Sequence, residues 1–264
     1  LAVAADATLK VDTTAPTVDS IALTATGASN NTLNEGDTVT VTVTMDEATV
    51  VDTTGGTPRI ALTIGTDTKY ATYVSGTGTT ALVFEYDIEA SLTDADGISI
   101  GADALSANSG TLKDAAGNSA VLDHSAVAAD ATLKVDTTAP TIGISSIALS
   151  ADTGLDSSDF ITNESAQTVT ATLSAALASG DVLYGSVDDG ATFVDITDQV
   201  SSTTLTWTEV TLLEDAGSTG VLQFKIVDAA GNAGTVVEQA YNVITRPPTT
   251  TITNIALSAD TGTS

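Results

Sequence analysis

The residues that could do chemistry in this chain are carboxylates and amides in two identical loops. Asp114-Ala-Ala-Gly-Asn118 returns letter for letter as Asp228-Ala-Ala-Gly-Asn232. As plain turns these loops need no ligand, because Gly and Asn tolerate a positive φ and an Asp side chain can accept hydrogen bonds from its own turn. An aspartate at the same place in both loops is also a hard oxygen ligand, so the loops alone leave both interpretations open.

Each loop has a candidate partner in a linker that contains an aspartate and a proline. The two linkers are Asp12-Thr-Thr-Ala-Pro16 and Asp136-Thr-Thr-Ala-Pro140. In a β-sandwich the loop before the last strand lies at the end where the chain enters the domain. We therefore expect Asp114 beside the first linker and Asp228 beside the second.

The loop that follows the second strand of each repeat should return to the same end. It would add Asp46 and Glu47 in the first repeat and Asp181 in the second. Carboxylates gathered in this way repel one another unless a cation neutralises them. Oxygen ligands without His or Cys favour Ca²⁺ over Zn²⁺ or copper, so calcium is expected at these junctions.

Two further acidic stretches give weaker signals. Asp94-Ala-Asp96-Gly97 resembles the opening of a calcium loop but lacks the later acidic positions, and a simple Asp-rich turn explains it as well. Asp152, Asp156 and Asp159 are ambiguous in the same way.

The charge balance excludes two large classes of partner. The chain has 34 acidic and 7 basic residues, a formal net charge of −27. Such a surface repels nucleic acid and anionic membranes, and no apolar run approaches the ~20 residues that span a bilayer, so we expect no membrane insertion. A plainer interpretation is that the charge keeps a secreted protein soluble. Cysteine is absent, so stability must come from packing or from metal.

Catalysis has little support in the sequence. The only histidine is His124, and no Gly-x-Ser-x-Gly or His-Glu-x-x-His pattern occurs. Carboxylate pairs are numerous enough for a glycosidase, but sites that cleave sugars usually need aromatic platforms, and the chain has one Trp and five Tyr. We therefore expect no enzyme activity.

The elements that must position these residues are repeated along the chain. Ala2–Thr17 recurs at Ala126–Thr141, an offset of 124 (126 minus 2), and Ile147–Gly154 recurs at Ile255–Gly262. Repeats of this kind indicate a tandem array. The predicted divisions are the last strand of a preceding repeat plus a linker at 1–16, one repeat at 17–140, a second at 141–248, and the start of another at 249–264.

The pattern within each repeat predicts short strands separated by turns, which is typical of an all-β sandwich. Val39–Met45, for example, alternates strictly between apolar and polar residues. The predicted strands are Ala7–Val11, Ser20–Thr24, Val39–Met45, Arg59–Ile64, Lys69–Val74, Ala81–Tyr86, Ala131–Val135, Ile147–Ser150, Gln167–Ser174, Val182–Val187, Ala191–Ile196, Thr203–Leu212, Gly220–Val227 and Thr235–Ile244.

The linkers, the two repeated loops and the passage Ser150-Ala-Asp-Thr-Gly154 to Asp159-Phe-Ile-Thr-Asn163 together resemble the tandem bacterial immunoglobulin-like repeats of large RTX-type or biofilm-associated surface adhesins. The resemblance implies immunoglobulin-like β-sandwiches joined end to end by short proline-containing linkers. It implies an extracellular extender on the bacterial surface, stiffened by calcium and contacting neighbouring repeats. By position, the implied metal ligands are Asp12, Glu47 and Asp114 at one junction and Asp136, Asp181 and Asp228 at the next.

A third junction departs from this pattern. Aligning Ile255 with Ile147 puts Ile244 where Asp136 stands and Arg246-Pro247-Pro248 at the linker, so calcium is not expected there.

Two alternatives stay open at the level of sequence. The first is a self-assembling extracellular filament subunit, in which the orphan strand at 1–12 and the unfinished unit at 250–264 complete each other between copies. The second is a module that binds a glycan or a host protein, although no exposed aromatic cluster supports it.

Overall fold

The chain is described by a computed structural model that covers residues 10–154, 156–214, 219–245 and 251–253. The repeat start predicted at 249–264 lies almost wholly outside this range. Of the strand predicted at 7–11, Lys10 and Val11 are described, and neither lies in a strand. Val11 is 86% exposed, and the other three residues of that predicted strand lie outside the described range.

The chain forms two compact units. The first ends at Thr141 and includes two later segments, Ala178–Val182 and Ile226–Thr235, while the second takes the rest of the chain from Ile142. The ranges 17–140 and 141–248 remain predictions about repeats.

The described residues of the first unit form ten strands. They are β1 (Val18–Thr26), β2 (Thr32–Leu33), β3 (Thr38–Asp52), β4 (Arg59–Ile64), β5 (Asp67–Ser75), β6 (Thr79–Asp87), β7 (Thr93–Asp94), β8 (Leu105–Ser106), β9 (Thr111–Lys113) and β10 (Lys134–Asp136). One seven-stranded sheet has the order β1-β3-β6-β5-β4-β8, with β9 paired to β3, and a three-stranded sheet has the order β2-β10-β7. Both sheets contribute to one core, as Val41 and Phe84 of the larger sheet and Leu33 and Val135 of the smaller show. The unit is therefore a β-sandwich.

In the second unit, nine strands and one short helix lie within the described ranges. They are β11 (Ile144–Leu149), β12 (Ile161–Thr162), β13 (Ala166–Leu173), β14 (Val182–Ser186), β15 (Val194–Asp195), a 3₁₀ helix (Thr197–Gln199), β16 (Val200–Ser201), β17 (Thr204–Thr211), β18 (Gly220–Val227) and β19 (Val237–Val243). The two sheets have the orders β11-β13-β17-β16 and β12-β19-β18-β14-β15. Trp207 of β17 meets Phe224 of β18 edge to face, with ring centroids 6.0 Å apart, so apolar faces of the two sheets pack together.

The alternating stretches are where sequence and structure agree best. β3, β4, β5, β6, β13, β17 and β18 each contain the predicted strand or most of it. Alternation predicts these strands well because one face of each is buried, as in β3, where Val39, Val41 and Val43 are fully buried.

The expectation for two other segments is wrong in extent. The strand predicted at Ala131–Val135 is reduced to Lys134–Asp136, and the hairpin arm predicted at Ala191–Ile196 is reduced to Val194–Asp195. Backbone turns end the ladder in both cases: the Leu133 N–H donates to the Asp130 carbonyl, 2.8 Å, and the Ala191 N–H donates to the Asp188 carbonyl, 3.2 Å.

The feature of the fold that positions the acidic residues is an interruption in β3. This strand pairs with β6 as far as Thr44, opposite Ala81, and pairs with it again only at Thr49, opposite Thr79. Beyond that point β3 pairs with β9, with Val50 opposite Lys113. Residues 45–48 therefore form a bulge, and such irregularities redirect the side chains they carry.

In the described part of the chain, no helix is long and apolar enough to cross a membrane.

Candidate metal centre

Asp12, Glu47 and Asp114 come together in the first unit. One carboxylate oxygen from each lies within 4.8 Å of the others. Asp12 is exposed, Glu47 is half-buried and Asp114 is buried, at 5% exposure. These three residues are the set that the sequence assigned to the first junction.

The strand pairing explains why Glu47 and Asp114 are neighbours although they are distant in sequence. Glu47 lies in the bulge of β3, and Asp114 directly follows Lys113, the last residue of β9. Because Lys113 is opposite Val50, the loop after β9 begins beside the bulge. The repeated loop and the bulge thus meet at one edge of the sandwich.

Asp114 is held in its loop by three hydrogen bonds. Its Oδ1 accepts the backbone N–H groups of Gly117, at 2.6 Å, and Asn118, at 2.8 Å, and its Oδ2 accepts from Nδ2 of Asn118 at 2.6 Å. Burial opposes ionisation of Asp114, but the bonds from Asn118 and Gly117 outweigh it and lower the pKa of this carboxyl. Asp114 is therefore a fixed and ionised carboxylate.

Asn118 connects this loop to the linker. The same Nδ2 that binds Asp114 also donates to the backbone carbonyl of Asp12, at 3.1 Å. The Oδ1 of Asp12 accepts from the N–H of Thr14 at 3.0 Å, which fixes the turn that carries this carboxylate. The sequence did not predict that Asn118 would bind the linker. The asparagine that ends both copies of the loop could have indicated this contact.

Asp46 lies next to the group but has another partner. Its Oδ1 and Oδ2 accept from the N–H and the hydroxyl of Thr17, at 2.7 Å and 2.8 Å. These two bonds lower the pKa of Asp46. Asp46 thus anchors the residue that precedes β1 and contributes its negative charge to the surroundings of Glu47.

The electrostatics at Glu47 suit a bound cation. Partial burial, and then the charges of Asp114, Asp12 and Asp46, raise the pKa of Glu47. A positive ion among the three oxygens would remove this repulsion. Three carboxylates without nitrogen or sulfur ligands match the preference of Ca²⁺ for hard oxygen donors, so the residues present fit calcium.

The loop at Asp228 repeats the geometry of the first loop. Oδ1 of Asp228 accepts from the N–H groups of Ala230 and Asn232, both at 2.9 Å, and Oδ2 accepts from Nδ2 of Asn232 at 2.9 Å. Nδ2 of Asn232 also donates to the carbonyl of Asp136 at 2.8 Å. Both copies of the loop therefore bind the backbone of their linker through the closing asparagine.

The third predicted ligand of this second set is placed differently. Asp181 accepts from the N–H of Ala178 at 2.9 Å and closes its own turn. Among the described residues, only the Asp12 set forms a group of three close carboxylates, and Asp136, Asp181 and Asp228 form none.

The backbone pairing shows which residue occupies the place of Glu47 in the second unit. Ser174 exchanges hydrogen bonds with Gly143, at 2.8 Å and 2.9 Å, as Asp46 does with Thr17. The residue after Ser174 is Ala175, which stands where Glu47 follows Asp46. An alanine at this position removes one candidate ligand, and Asp181 does not replace it.

The weaker acidic candidates have structural roles. Asp94 is buried, at 4% exposure, and accepts the backbone N–H groups of Gly65 and Gly97, both at 2.8 Å, so it acts as a turn residue. Asp152, Asp156 and Asp159 also accept backbone N–H groups, from Phe160, Ser158 and Ile161.

His124 also supports the backbone. Its Nε2 accepts from the N–H groups of Ala104, at 2.9 Å, and Leu105, at 3.2 Å. Its Nδ1 lies 2.9 Å from the carbonyl oxygen of Ser125. Both ring nitrogens are thus engaged by the chain.

Comparison with known proteins gives only distant likenesses. No family model and no curated protein matches the chain. It is similar at 12% identity to the fibronectin(III)-like modules of Clostridium thermocellum CbhA, over 84% of this chain and 94% of that one, with a TM-score of 0.32. It is also similar, at 14% identity and a TM-score of 0.24, to the glycoside hydrolase domain of Endo-D from Streptococcus pneumoniae R6. That likeness covers 82% of this chain and 32% of the other. At these scores the all-β fold rests on the strand pairing described above.

Proposed function

We propose that the chain is part of the extender region of a bacterial surface adhesin, in which calcium stiffens a series of immunoglobulin-like repeats. The observation that carries the proposal is the meeting of Asp12, Glu47 and Asp114. They come from a linker, a strand bulge and the repeated loop, so one ion bound to all three would fasten the linker to the body of the unit.

In this proposal calcium acts by restricting the motion of the linker relative to the body of the unit. Without a cation, the contact between Asp12 and the body of the unit that the described residues show is one bond of 3.1 Å, from the amide of Asn118 to the Asp12 carbonyl. The carboxylates of Asp12 and Glu47 meanwhile repel each other. Calcium would turn this repulsion into shared coordination and fix the direction in which the linker leaves the unit. In an array of such repeats, fixed linkers make a rod, whereas free linkers make a flexible string.

The net charge supports the same function. A surface with a formal charge of −27 opposes its own compaction and attracts divalent cations. Extracellular calcium modules bind with dissociation constants of about 10⁻⁴–10⁻³ M, which a site of three carboxylates is suited to reach. An extracellular location is part of this proposal.

Calorimetric titration with Ca²⁺ tests the proposal. We expect saturable binding in the wild type, loss of that binding in Asp114→Asn, and unchanged binding in Asp181→Asn, the matched control that alters an aspartate outside the group. For a dissociation constant of about 10⁻⁴ M, calcium at about 10 mM would raise the free energy of unfolding by about 2.7 kcal/mol. A wild type that binds no calcium at millimolar concentration would refute the proposed function.

A further inference from the structure

The strand β1 lies at the edge of its sheet and has an open side. Among the described residues it pairs with β3 alone, from Val18 to Thr26. An edge strand directs every second N–H and C=O away from its paired neighbour, so β1 presents backbone donors and acceptors along its open side. Native proteins usually protect such an edge with charges, bulges or proline. One irregularity lies between Val18 and Ser20, but the stretch from Ser20 to Thr26 has no charged residue and no proline.

The apolar side chains of β1 are less buried than those of its neighbour. Ile21, Leu23 and Ala25 pack against the core and are only partly buried. Val43 and Val41 lie opposite Ile21 and Leu23 in β3, and both are fully buried. The core is therefore incompletely covered where this sheet ends. A further strand paired with β1 would continue the sheet and cover these side chains.

A groove of about 520 Å³ lies along the open side of β1. Val121 is bridged to Thr17, just before β1, whereas Val127 is bridged to Ile100. The chain between these two bridges therefore leaves β1, and the beginning of β1 faces residues 123–127 across the opening. We call this opening the β1 groove.

The rim of the β1 groove is acidic. It is lined by Asp19, Asp103 and Asp123, which are all exposed, and the described residues that line it include no lysine or arginine. In the described structure none of these three carboxylates takes part in a salt bridge. His124 is the other titratable residue of the groove, and its Nε2 accepts backbone N–H groups. Basic side chains of a partner would therefore meet carboxylates that have no counter-charge here.

We propose that the β1 groove binds an extended segment of a basic partner protein, which adds to β1 as a further strand. Backbone hydrogen bonds to β1 supply affinity in this mode of binding, and alternate side chains supply specificity. A segment of alternating apolar and basic residues fits, because one set covers Ile21 and Leu23 while the other set reaches the aspartates of the rim. A second copy of this chain fits poorly, since a net charge of −27 opposes its approach. The site needs no metal and does not depend on the calcium proposal.

Binding of a synthetic peptide to the full chain in EGTA tests the proposal. The probe is a fluorescent peptide of about eight residues in which valine and lysine alternate, the length of an ordinary strand. Salt at about 150 mM screens its long-range attraction to the acidic surface. One control peptide has the same composition with the lysines grouped at one end, and another has every backbone nitrogen methylated. We expect saturable binding of the alternating peptide and binding at least about tenfold weaker for both controls, which lack the alternation or the N–H donors.

Matched variants separate the groove from the general negative charge of the protein. Asp19→Asn/Asp123→Asn alters the rim, and Asp67→Asn/Asp96→Asn changes the net charge equally at exposed aspartates of the same unit outside the groove. The rim variant should bind the peptide about fivefold more weakly, and the control variant less than about twofold more weakly. Equal weakening in the two variants would show that the peptide follows net charge and does not occupy the groove.

Hydrogen exchange locates the bound peptide. Amides on the open side of β1 should exchange at least about tenfold more slowly when the peptide is bound, while amides of β11, the first strand of the second unit, should not change. Saturable binding without protection of β1 would contradict strand addition. If the protein alone is a dimer by light scattering and the amides of β1 are already protected, a second copy occupies the groove and the assignment to a basic partner is wrong.

Discussion

A carboxylate oxygen of Glu47 lies within 4.8 Å of one of Asp114, and the fold shifts the pKa values of the two groups in opposite directions. The pKa of Glu47 is raised by partial burial and by the charge of Asp114, whereas hydrogen bonds from Asn118 and Gly117 lower the pKa of Asp114 against the effect of its burial. The pair therefore consists of one firmly ionised carboxylate and one whose ionisation the fold opposes.

Glu47→Gln should reduce the stabilisation that calcium gives without destabilising the metal-free protein. Ionised Glu47 destabilises the metal-free fold at pH 7, so the neutral amide should raise its melting temperature or leave it unchanged. With calcium present, the variant should gain less stability than the wild type because a ligand is lost. Thermal unfolding in EGTA and in about 10 mM Ca²⁺ measures both effects. A variant that gains as much from calcium as the wild type would exclude Glu47 as a ligand.

Calcium binding should weaken as the medium becomes acidic, and the raised pKa of Glu47 sets where this begins. A raised pKa in the folded state means that the destabilisation by ionised Glu47 disappears as the pH falls through that pKa, which lies above the usual 4.5. Calcium must displace the proton that Glu47 binds as the pH falls. The affinity for calcium should therefore begin to decrease at a higher pH than at a site made of carboxylates with ordinary pKa values. Titrations at pH 7.5 and pH 5 test this, and the same affinity at both would contradict it.

Asn118→Ala should loosen the linker at Asp12. The substitution removes one amide that binds both Asp114 Oδ2 and the Asp12 carbonyl, so it should cost about 1–2 kcal/mol of unfolding free energy. Asn232→Ala is its matched counterpart, because Asn232 makes the same pair of bonds to Asp228 and Asp136. Denaturant unfolding gives the cost, and limited proteolysis at residues 10–16 reports the linker. If the cleavage rate were unchanged in Asn118→Ala, the amide of Asn118 would not be the group that holds the linker.

Asp188 should make the second unit sensitive to acid. Hydrogen bonds from the hydroxyls of Thr192 and Ser186 and from the N–H of Thr192 lower the pKa of Asp188 to about 2. Because this value lies below the usual 3.8, the stabilisation is present above pH 3.8 and is lost as the pH falls through about 2. Asp188→Asn should lower the melting temperature at pH 7 and flatten its decline below pH 4. A decline as steep as that of the wild type would contradict this assignment.

Gly185 should tolerate no side chain. A Cβ there would lie 2.7 Å from Cζ3 of Trp207 and 2.9 Å from Cδ1 of Ile196. We expect Gly185→Ala to cost about 1–3 kcal/mol through overpacking. Trp207 is the only tryptophan, so its fluorescence during denaturant unfolding reports the second unit directly. A midpoint equal to that of the wild type would show that the sheets adjust without cost.

The alternating strands could be predicted from the sequence, and so could the proximity of Asp12, Glu47 and Asp114, which the resemblance to adhesin repeats implies and the structure shows. Exact repetition marks the linker and the loop, and period-two burial marks the strands that bring them to one end. The very short strands were not predicted, because two residues such as Thr32 and Leu33 carry no periodic signal and are defined only by their partner β10.

The second set of ligands shows where the sequence was insufficient. Asp181 was chosen because it follows a strand at the expected end, but the bonds of Ser174 to Gly143 place Ala175, and not Asp181, at the position of Glu47. Only strand register identifies this correspondence, since the two segments share no obvious sequence. The role of Asn118 likewise depends on a contact with the Asp12 backbone, which side-chain types do not reveal.

The central claim is that bound calcium fixes the linker to the body of the first unit. The mobility of a spin label attached at Lys10→Cys tests this claim most directly. The chain has no cysteine, so the label attaches at one place, and Lys10 is exposed. Calcium should broaden the spectrum of the label by slowing its motion, while Glu47→Gln and a label in the exposed turn at Thr66→Cys should show no such change. Identical Lys10→Cys spectra in calcium and in EGTA, in a protein that binds the ion, would contradict the proposed role.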